Sequence, residues 1–404
     1  MELKENSVDN TLKNILTLRY DPSQTSTLPN LSAKDYSSKI NLDEIYIEKD
    51  IHSYLDEHLV QKTNSLGIAL SGGIDSTLVL HSIKKIYPEM KVNAFSIRFS
   101  NSVDETSIAK KIADYFDVEH NIIDLDNYLQ DLPRAISITR LPFWDIHWFY
   151  VAQESQKKSK YLASGDGGDE LFGGYTFRYK KFLSLINSKS SPVEKTQAYL
   201  QCHERDHVPD QHKIFSKNID FSWDKFHQLL LPYFENDLSP LDQLFLADYN
   251  GKLLYNFSIV NNAINKEFDV KSITPILNTS FLKSTSHLND FEKYDAKTNL
   301  GKLPLRKILQ KSEVYKLLSP EKLGFSVNTQ NLWKNYGKKI SSYFLSDSQL
   351  VKDNLINNDW IQSYINSDNL DVRYINKLLG LLACEIWYRI FVIKNMKSTE
   401  KLIF

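Results

Sequence analysis

Leu66-Gly67-Ile68-Ala69-Leu70-Ser71-Gly72-Gly73-Ile74-Asp75-Ser76-Thr77-Leu78-Val79-Leu80 runs from a short apolar segment through Ser-Gly-Gly into a stretch with helical apolar spacing. The pattern predicts a buried strand, a tight glycine turn and a helix N-terminus. Such a turn is a phosphate cradle. Gly72 and Gly73 let backbone N–H groups approach an anion unobstructed by Cβ, and Ser71, Ser76 and the positive end of the helix add donors and field. The helix dipole itself contributes only about 0.3–1 kcal/mol per charge. Asp75 would repel a bound polyphosphate unless a cation lay between them, so its presence points to magnesium. The plain alternative is a strand-to-helix turn with a capping Asp. A Walker A loop is excluded, because no Gly-Lys-Ser/Thr follows the first glycine at the required distance.

Outward from the cradle, strand and helix patterns alternate. Val92 to Ile97 reads as a second strand, and Asp104-Glu105 opens a helix with Ile108, Ala109, Ile112, Ala113 and Phe116 on one face. Glu119 to Asp124 reads as a third strand and Lys160 to Ser164 as a fourth. Between these two lie an irregular segment, Leu132 to His147, holding Arg140, Pro142, Trp144, Asp145 and His147, and a helix through Val151 and Ala152. This alternation predicts an α/β fold, a parallel sheet with helices on both faces. Ligands in such sheets sit outside the carboxyl ends of the strands, so residues 70–76, 97–105 and 164–170 are expected to share one crevice.

Residues 1–40 are polar and without sustained period, which reads as an extended or poorly ordered N-terminal extension. Residues 41–180 form the α/β core, entered by a helix carrying Ile47, Ile51 and Leu55. Residues 181–404 read as a largely helical C-terminal part, ending in a stripe from Ile375 to Ile390 that suits a core helix better than a partner groove. His203, His207 and His212 lack an accompanying Cys or carboxylate pattern and read as a surface loop.

The 404 residues carry a formal net charge of −1, so no global field favours nucleic acid or an acidic membrane. Cys202 and Cys384 form no CxxC pair, which excludes a thiolate zinc knuckle and suits a reducing compartment. No stretch reaches the ~18 consecutive apolar residues of a membrane span, and the N-terminus lacks a signal-peptide core. A cytoplasmic protein is expected.

Ser71 to Ser76 resembles the pyrophosphatase loop of enzymes that split ATP between its α- and β-phosphates. A second motif, Ser164-Gly165-Asp166-Gly167-Gly168-Asp169-Glu170-Leu171-Phe172-Gly173-Gly174-Tyr175, follows the fourth strand. Its acids cannot be buried unpaired, so it calls for a cation or a polar ligand. Together the two motifs resemble the synthetase domain of the asparagine synthetase family, with an adenine nucleotide alpha hydrolase-like, Rossmann-like fold. The resemblance runs from about Ile51 to Phe391. It takes in Ala94-Phe95-Ser96-Ile97, Asp104-Glu105, His120, Gly301-Lys302 with Arg306, and Lys322-Leu323-Gly324-Phe325. It weakens at Asp269 to Asn278, where Lys271 and Asn278 stand for the family's Arg and Asp and weaken a planar ion pair.

The resemblance implies ATP as substrate and Mg2+ as cofactor. It places Leu70, Ile97, Ser164 and Gly165 on adenosine, and Ser71, Gly72, Gly73 and Ser76 on pyrophosphate. Asp75 and Asp169 become metal ligands, and Lys322 the cation on the α-phosphate. Asp166 stands where many members have Glu, a position suited to handling ammonia or its proton; otherwise it is a turn Asp capping its own backbone. The reaction implied is adenylation of a carboxylate, most simply aspartate, followed by ammonia displacing AMP to leave an amide, asparagine. A lactam or peptide cyclase, or another amidotransferase of the same family, is the alternative. A tRNA-modifying adenylating enzyme lacks its basic appendage or paired cysteines here. A catalytically silent relative would have lost Asp75, Asp169 and Lys322.

Family members commonly start a glutaminase domain with a cysteine after the initiator Met, and here that residue is Glu2. The expected nitrogen source is therefore free ammonia or a separate glutaminase subunit, or else the nucleophile is another amine. The further expectation is a homodimer acting on small molecules, without nucleic acid or membrane.

Overall fold

Five strands, β1 (Ser65–Ala69), β2 (Lys91–Phe99), β3 (Glu119–Leu125), β4 (Tyr161–Ala163) and β5 (Lys271–Ile273), form one parallel sheet ordered β3-β2-β1-β4-β5. The structure is a computed structural model that describes residues 5–40, 44–59, 63–100, 102, 104, 106–318, 327–367 and 369–403. β1 to β4 fall where alternation of strand and helix patterns puts them. β5 lies in the Asp269 to Asn278 stretch, where three residues are too few to give a period.

Side chains of a strand alternate between faces, so a sheet covered on both sides needs two apolar sets. Leu66, Ile68 and Leu70 enter a cluster with the helices Glu44–Leu59 and Ile74–Ile86. Ala69, Phe95, Ile97 and Leu162 enter a second, with Leu132–Thr139, His147–Ser155 and Val372–Tyr388. The C-terminal stripe is thus a core helix. Among the described residues no helix is long and apolar enough to cross a membrane.

Two expectations are corrected. Within the segment expected to be an extended or poorly ordered extension, Glu5–Leu18 is a helix whose Val8, Leu12 and Ile15 are buried against Val372–Tyr388. Its closing turn is held from outside, since Gln211 Nε2 donates to the Leu16 carbonyl at 2.8 Å and Lys377 Nζ donates to the same oxygen. The polar majority of the segment hides this one-sided apolar spacing. The segment Leu132 to His147 is not irregular throughout, because Leu132–Thr139 is a helix. Pro133 fits its first turn, where the missing N–H costs nothing. The chain becomes irregular at Arg140, which has φ +60°.

Candidate active site

The strand order reverses at β1, from which β2 and β3 lie on one side and β4 and β5 on the other. The crevice at such a switch point opens at the carboxyl ends of β1 and β4. Ser71, Gly73, Asp75 and Ser76 come to it from β1, and Ser164, Gly165, Asp166 and Asp169 from β4, lining a cavity of about 780 Å3. Residues 97–105 do not reach its wall among the described residues. The side chains of Leu70 and Ile97 are buried, one in each core. At Gly72, where φ is +78°, an added Cβ would lie 2.9 Å from Ile108 Cγ2. The glycine serves the turn and the close approach of the helix Thr106–Tyr115. Lys322 lies outside the described residues.

The cradle is held by its own hydroxyls. Ser71 N donates to Ser76 Oγ and Gly73 N to Ser71 Oγ, both at 3.3 Å, while Thr77 Oγ1 donates to the Gly73 carbonyl at 2.7 Å. The second loop closes directly onto it. A Cβ on Gly165 would stand 2.6 Å from Asp75 Cβ and 2.7 Å from Ser76 N, and one on Gly168 would collide with the Asp75 carboxylate. Glycine at these positions brings Asp75 and Asp169 to one point.

At that point sits Lys302, which enters from the turn after Gly301 with φ +59°. Its ammonium pairs with Asp75 and, at 2.8 Å, with Asp169 Oδ1. Burial would lower the Lys302 pKa, but the two carboxylates outweigh it and keep the amine charged. Two carboxylates converging on one cation suit magnesium, which takes one or two carboxylates and completes its shell with phosphate and water. Among the described residues no group of three or more His, Cys, Asp or Glu offers a metal an all-protein cage.

Beyond Asp166 the cavity is walled by pairs of opposite charge. Arg178 donates to Asp248 Oδ1 at 3.1 Å, and Lys252 pairs with Asp206. Arg19, just past the N-terminal helix, reaches Asp145 and Asp206 at 3.5 Å each and lies over the Trp144 ring. Asp145 Oδ1 accepts from Tyr128 OH at 2.7 Å and lies 3.0 Å from His147 Nδ1. Burial would raise the Asp145 carboxyl, yet the hydrogen bond and charge of His147, with Arg19 and Tyr128, hold it well below the usual carboxylate range. Burial would lower His147, but Asp145 and then Asp166 outweigh it and raise it. Asp166 is raised by burial, against hydrogen bonds from Ser164 and Asn261 and the charge of His147. Asn261 Nδ2 donates to Asp166 Oδ2 at 3.0 Å, so the carboxylate faces a side-chain partner and does not cap its own turn through that oxygen.

The sequence motifs supply the cradle, Asp75, Asp166 and Asp169, which the fold brings together. Arg19, Asp145, His147, Lys252, Asn261 and Lys302 complete the site without an assigned role in the sequence. The acid and histidine of Asp145-Ile146-His147, just ahead of a helix N-terminus, were the available signal. Of the three histidines expected on a surface loop, His203 packs into the cavity wall beside Asp206, His207 is half-buried, and only His212 is exposed.

This chain is 24% identical to asparagine synthetase [glutamine-hydrolyzing] 1 of Bacillus subtilis, over 97% of its own length and 64% of that protein's. It is 32% identical to putative asparagine synthetase [glutamine-hydrolyzing] 2 of Methanocaldococcus jannaschii, over 32% of this chain and 28% of that one. The chain therefore spans less than two thirds of the length of these relatives. The solved structure of NMN synthetase from Francisella tularensis aligns over 50% of this chain and 92% of its own, at 16% identity and a TM-score of 0.27, a level that carries no inference. The family model for asparagine synthase matches residues 53–389, spanning the cradle, the Asp166 loop, Lys302 and the C-terminal core helix, and the chain belongs to that family.

Proposed function

We propose that the chain is an ATP-dependent, AMP-forming amide ligase that adenylates a carboxylate, most simply aspartate, and transfers ammonia to it. One observation carries the reading: two glycine-rich loops close so tightly that Asp75 and Asp169 share one cation beside the Ser71–Ser76 cradle. A magnesium ion held by Asp75 and Asp169 would neutralise charge on the departing pyrophosphate. The cradle backbone N–H groups hold that pyrophosphate, and Lys302 adds a positive charge at the same place. Lys322 is proposed, by its Lys-x-Gly-Phe setting, to serve the α-phosphate.

The acceptor lies beyond Asp166, where Arg19, Asp145, Lys252 and Asp206 offer both signs of charge at close range. A zwitterionic amino acid matches such a wall. Because the cavity continues to Phe257, Arg205 and Asn376, it also has room for a larger acceptor. That favours, as second reading, a lactam or peptide cyclase of the same family.

Incubation with ATP, magnesium chloride, ammonium chloride and a panel of carboxylates, followed by pyrophosphate and amide detection, tests the reading. L-Aspartate is expected to give AMP, pyrophosphate and asparagine. Asp75→Asn and Asp169→Asn are each expected to abolish pyrophosphate release while the protein stays folded. No pyrophosphate with any carboxylate would overturn the ligase assignment.

A further inference from the structure

We propose that Arg19 binds the α-carboxylate of the acceptor amino acid, brought to the site by an N-terminal helix that lies outside the residues the family model matches. This deepens the ligase reading and rests on it.

Of the cations on the acceptor wall, Arg178 and Lys252 are taken. Arg178 donates to Asp248 Oδ1 at 3.1 Å, and Lys252 bonds directly to Asp206 Oδ2. Arg19 differs. It reaches Asp145 Oδ2 and Asp206 Oδ1 at 3.5 Å each, beyond the roughly 2.7–3.2 Å of an N–H···O bond. Its side chain is 28% exposed against 9% for Arg178, and it lines the cavity. It lowers the Asp145 carboxyl through its charge, whereas His147 and Tyr128 do so through hydrogen bonds. The two oxygens that Arg19 faces are also the ones its neighbours leave open: Tyr128 OH and His147 hold Asp145 through Oδ1, and Lys252 holds Asp206 through Oδ2. A planar fork of donors beside two carboxylate oxygens is the complement of an α-amino acid. The carboxylate of such a ligand goes to Arg19 and its ammonium to Asp145 or Asp206.

The chain also holds this one residue firmly. Arg19 has φ +61°, a conformation that residues other than glycine rarely adopt. Its N–H donates to the Ile15 carbonyl at 3.1 Å, and its own carbonyl accepts from Asn256 Nδ2 at 2.7 Å. Two residues on, the buried Asp21 carboxylate accepts from Thr11 Oγ1 and Asn14 Nδ2 at 2.9 Å each, which ties the turn back to the helix Glu5–Leu18. At the other end of the side chain, the guanidinium carbon lies 5.6 Å from the Trp144 ring centroid, a cation–π contact. A cation fixed at its base and resting on an aromatic face loses little freedom when it binds a carboxylate. Arg19 precedes residues 53–389, so membership of the family does not by itself supply it. The N-terminal helix therefore carries acceptor specificity as well as packing.

The discriminating probe is the α-amide of L-aspartate, which keeps the α-ammonium and the β-carboxylate to be activated but has no negative charge at the α position. With ATP, magnesium chloride and ammonium chloride, the wild type is expected to prefer L-aspartate to this amide roughly tenfold or more in kcat/KM. Arg19→Met should raise the KM for L-aspartate by a similar factor, more than it lowers kcat, and bring the preference near one. Arg19→Lys, which keeps the charge and loses the fork, should restore part of both. A role in packing alone would lower the melting temperature and slow both substrates alike. A wild type indifferent to the α-amide, or an unchanged preference in Arg19→Met, overturns the proposal. The second measurement needs no turnover: calorimetric titration of L-aspartate into the full chain holding α,β-methylene-ATP and magnesium. Binding by the wild type is expected to be roughly tenfold or more tighter than by Arg19→Met. Equal affinity, or no binding by the wild type, overturns the proposal even where the ligase reaction is found. Absence of pyrophosphate release by the wild type, with L-aspartate binding still lost in Arg19→Met, would instead strike the ligase reading and leave the carboxylate site standing.

Discussion

Gly165→Ala tests whether the contact between the two loops sets the site. The added Cβ would lie 2.6 Å from Asp75 Cβ and 2.7 Å from both the Asp75 carbonyl carbon and Ser76 N, where ordinary contact begins at 3.4 Å. Two of these three atoms are backbone at the start of the helix Ile74–Ile86, so no side-chain rotation relieves the overlap. The loops must part by about 0.8 Å, the difference between 3.4 and 2.6 Å. Overpacking of this kind costs about 1–3 kcal/mol, and the reduced freedom of the unfolded chain offsets ~0.4–1 kcal/mol of it. Function should suffer more, since a displacement near 1 Å between reacting groups costs on the order of a hundredfold. The expected result is a folded protein with a slightly lower melting temperature and ATP–pyrophosphate exchange down roughly tenfold to a hundredfold. Gly380→Ala is the control: it lies within the helix Val372–Tyr388, and its nearest neighbour would be Leu16 Cδ2 at 3.2 Å. It should leave exchange near wild type. Wild-type exchange and stability in Gly165→Ala would refute the loop contact as the reason for this glycine.

Asp166 is raised by burial, so its ionised form destabilises the folded state as pH rises from the unfolded carboxyl range through its folded pKa. Asp166→Asn should therefore raise the melting temperature at neutral pH, with the gain vanishing near pH ~4; a gain that grows on acidification would contradict this. Leu12→Ala removes a fully buried side chain between the N-terminal helix and Val372–Tyr388 and should cost about 2–5 kcal/mol in denaturant unfolding. A neutral result would mean that the helix is dispensable to the fold. Lys302→Met leaves Asp75 and Asp169 facing each other without their shared ammonium, a loss of about 3–5 kcal/mol for a buried pair. Magnesium chloride should recover part of that stability in Lys302→Met more than in wild type, read as melting temperature, if the two carboxylates hold the ion.

What the sequence discloses is what a single segment must do by itself. The cradle and the Asp166 loop each carry their glycines and acids within a dozen residues, so their chemistry is readable before any fold is known. Four of the five strands are readable for the same reason, because their apolar runs alternate with helix patterns and that alternation dictates parallel pairing, whereas β5 is too short to give a period. The partners of those acids are not readable locally. Lys302 meets Asp75 across 227 positions and Asn261 meets Asp166 across 95, and neither lysine nor asparagine differs by type from dozens of surface residues. Arg19 is more concealed still, because it follows a helix whose apolar face is thin and whose surroundings are Asn, Thr and Lys. Yet the physical need was visible in outline: a loop with Asp166, Asp169 and Glu170 demands compensating charge and donors. Its supply from three distant segments means that the site forms only when the N-terminal helix, the Ser258–Glu267 helix and the Lys302 turn have all docked. The cavity wall therefore depends on the docking of all three, and a lesion as remote as Leu12 should reach it through Arg19.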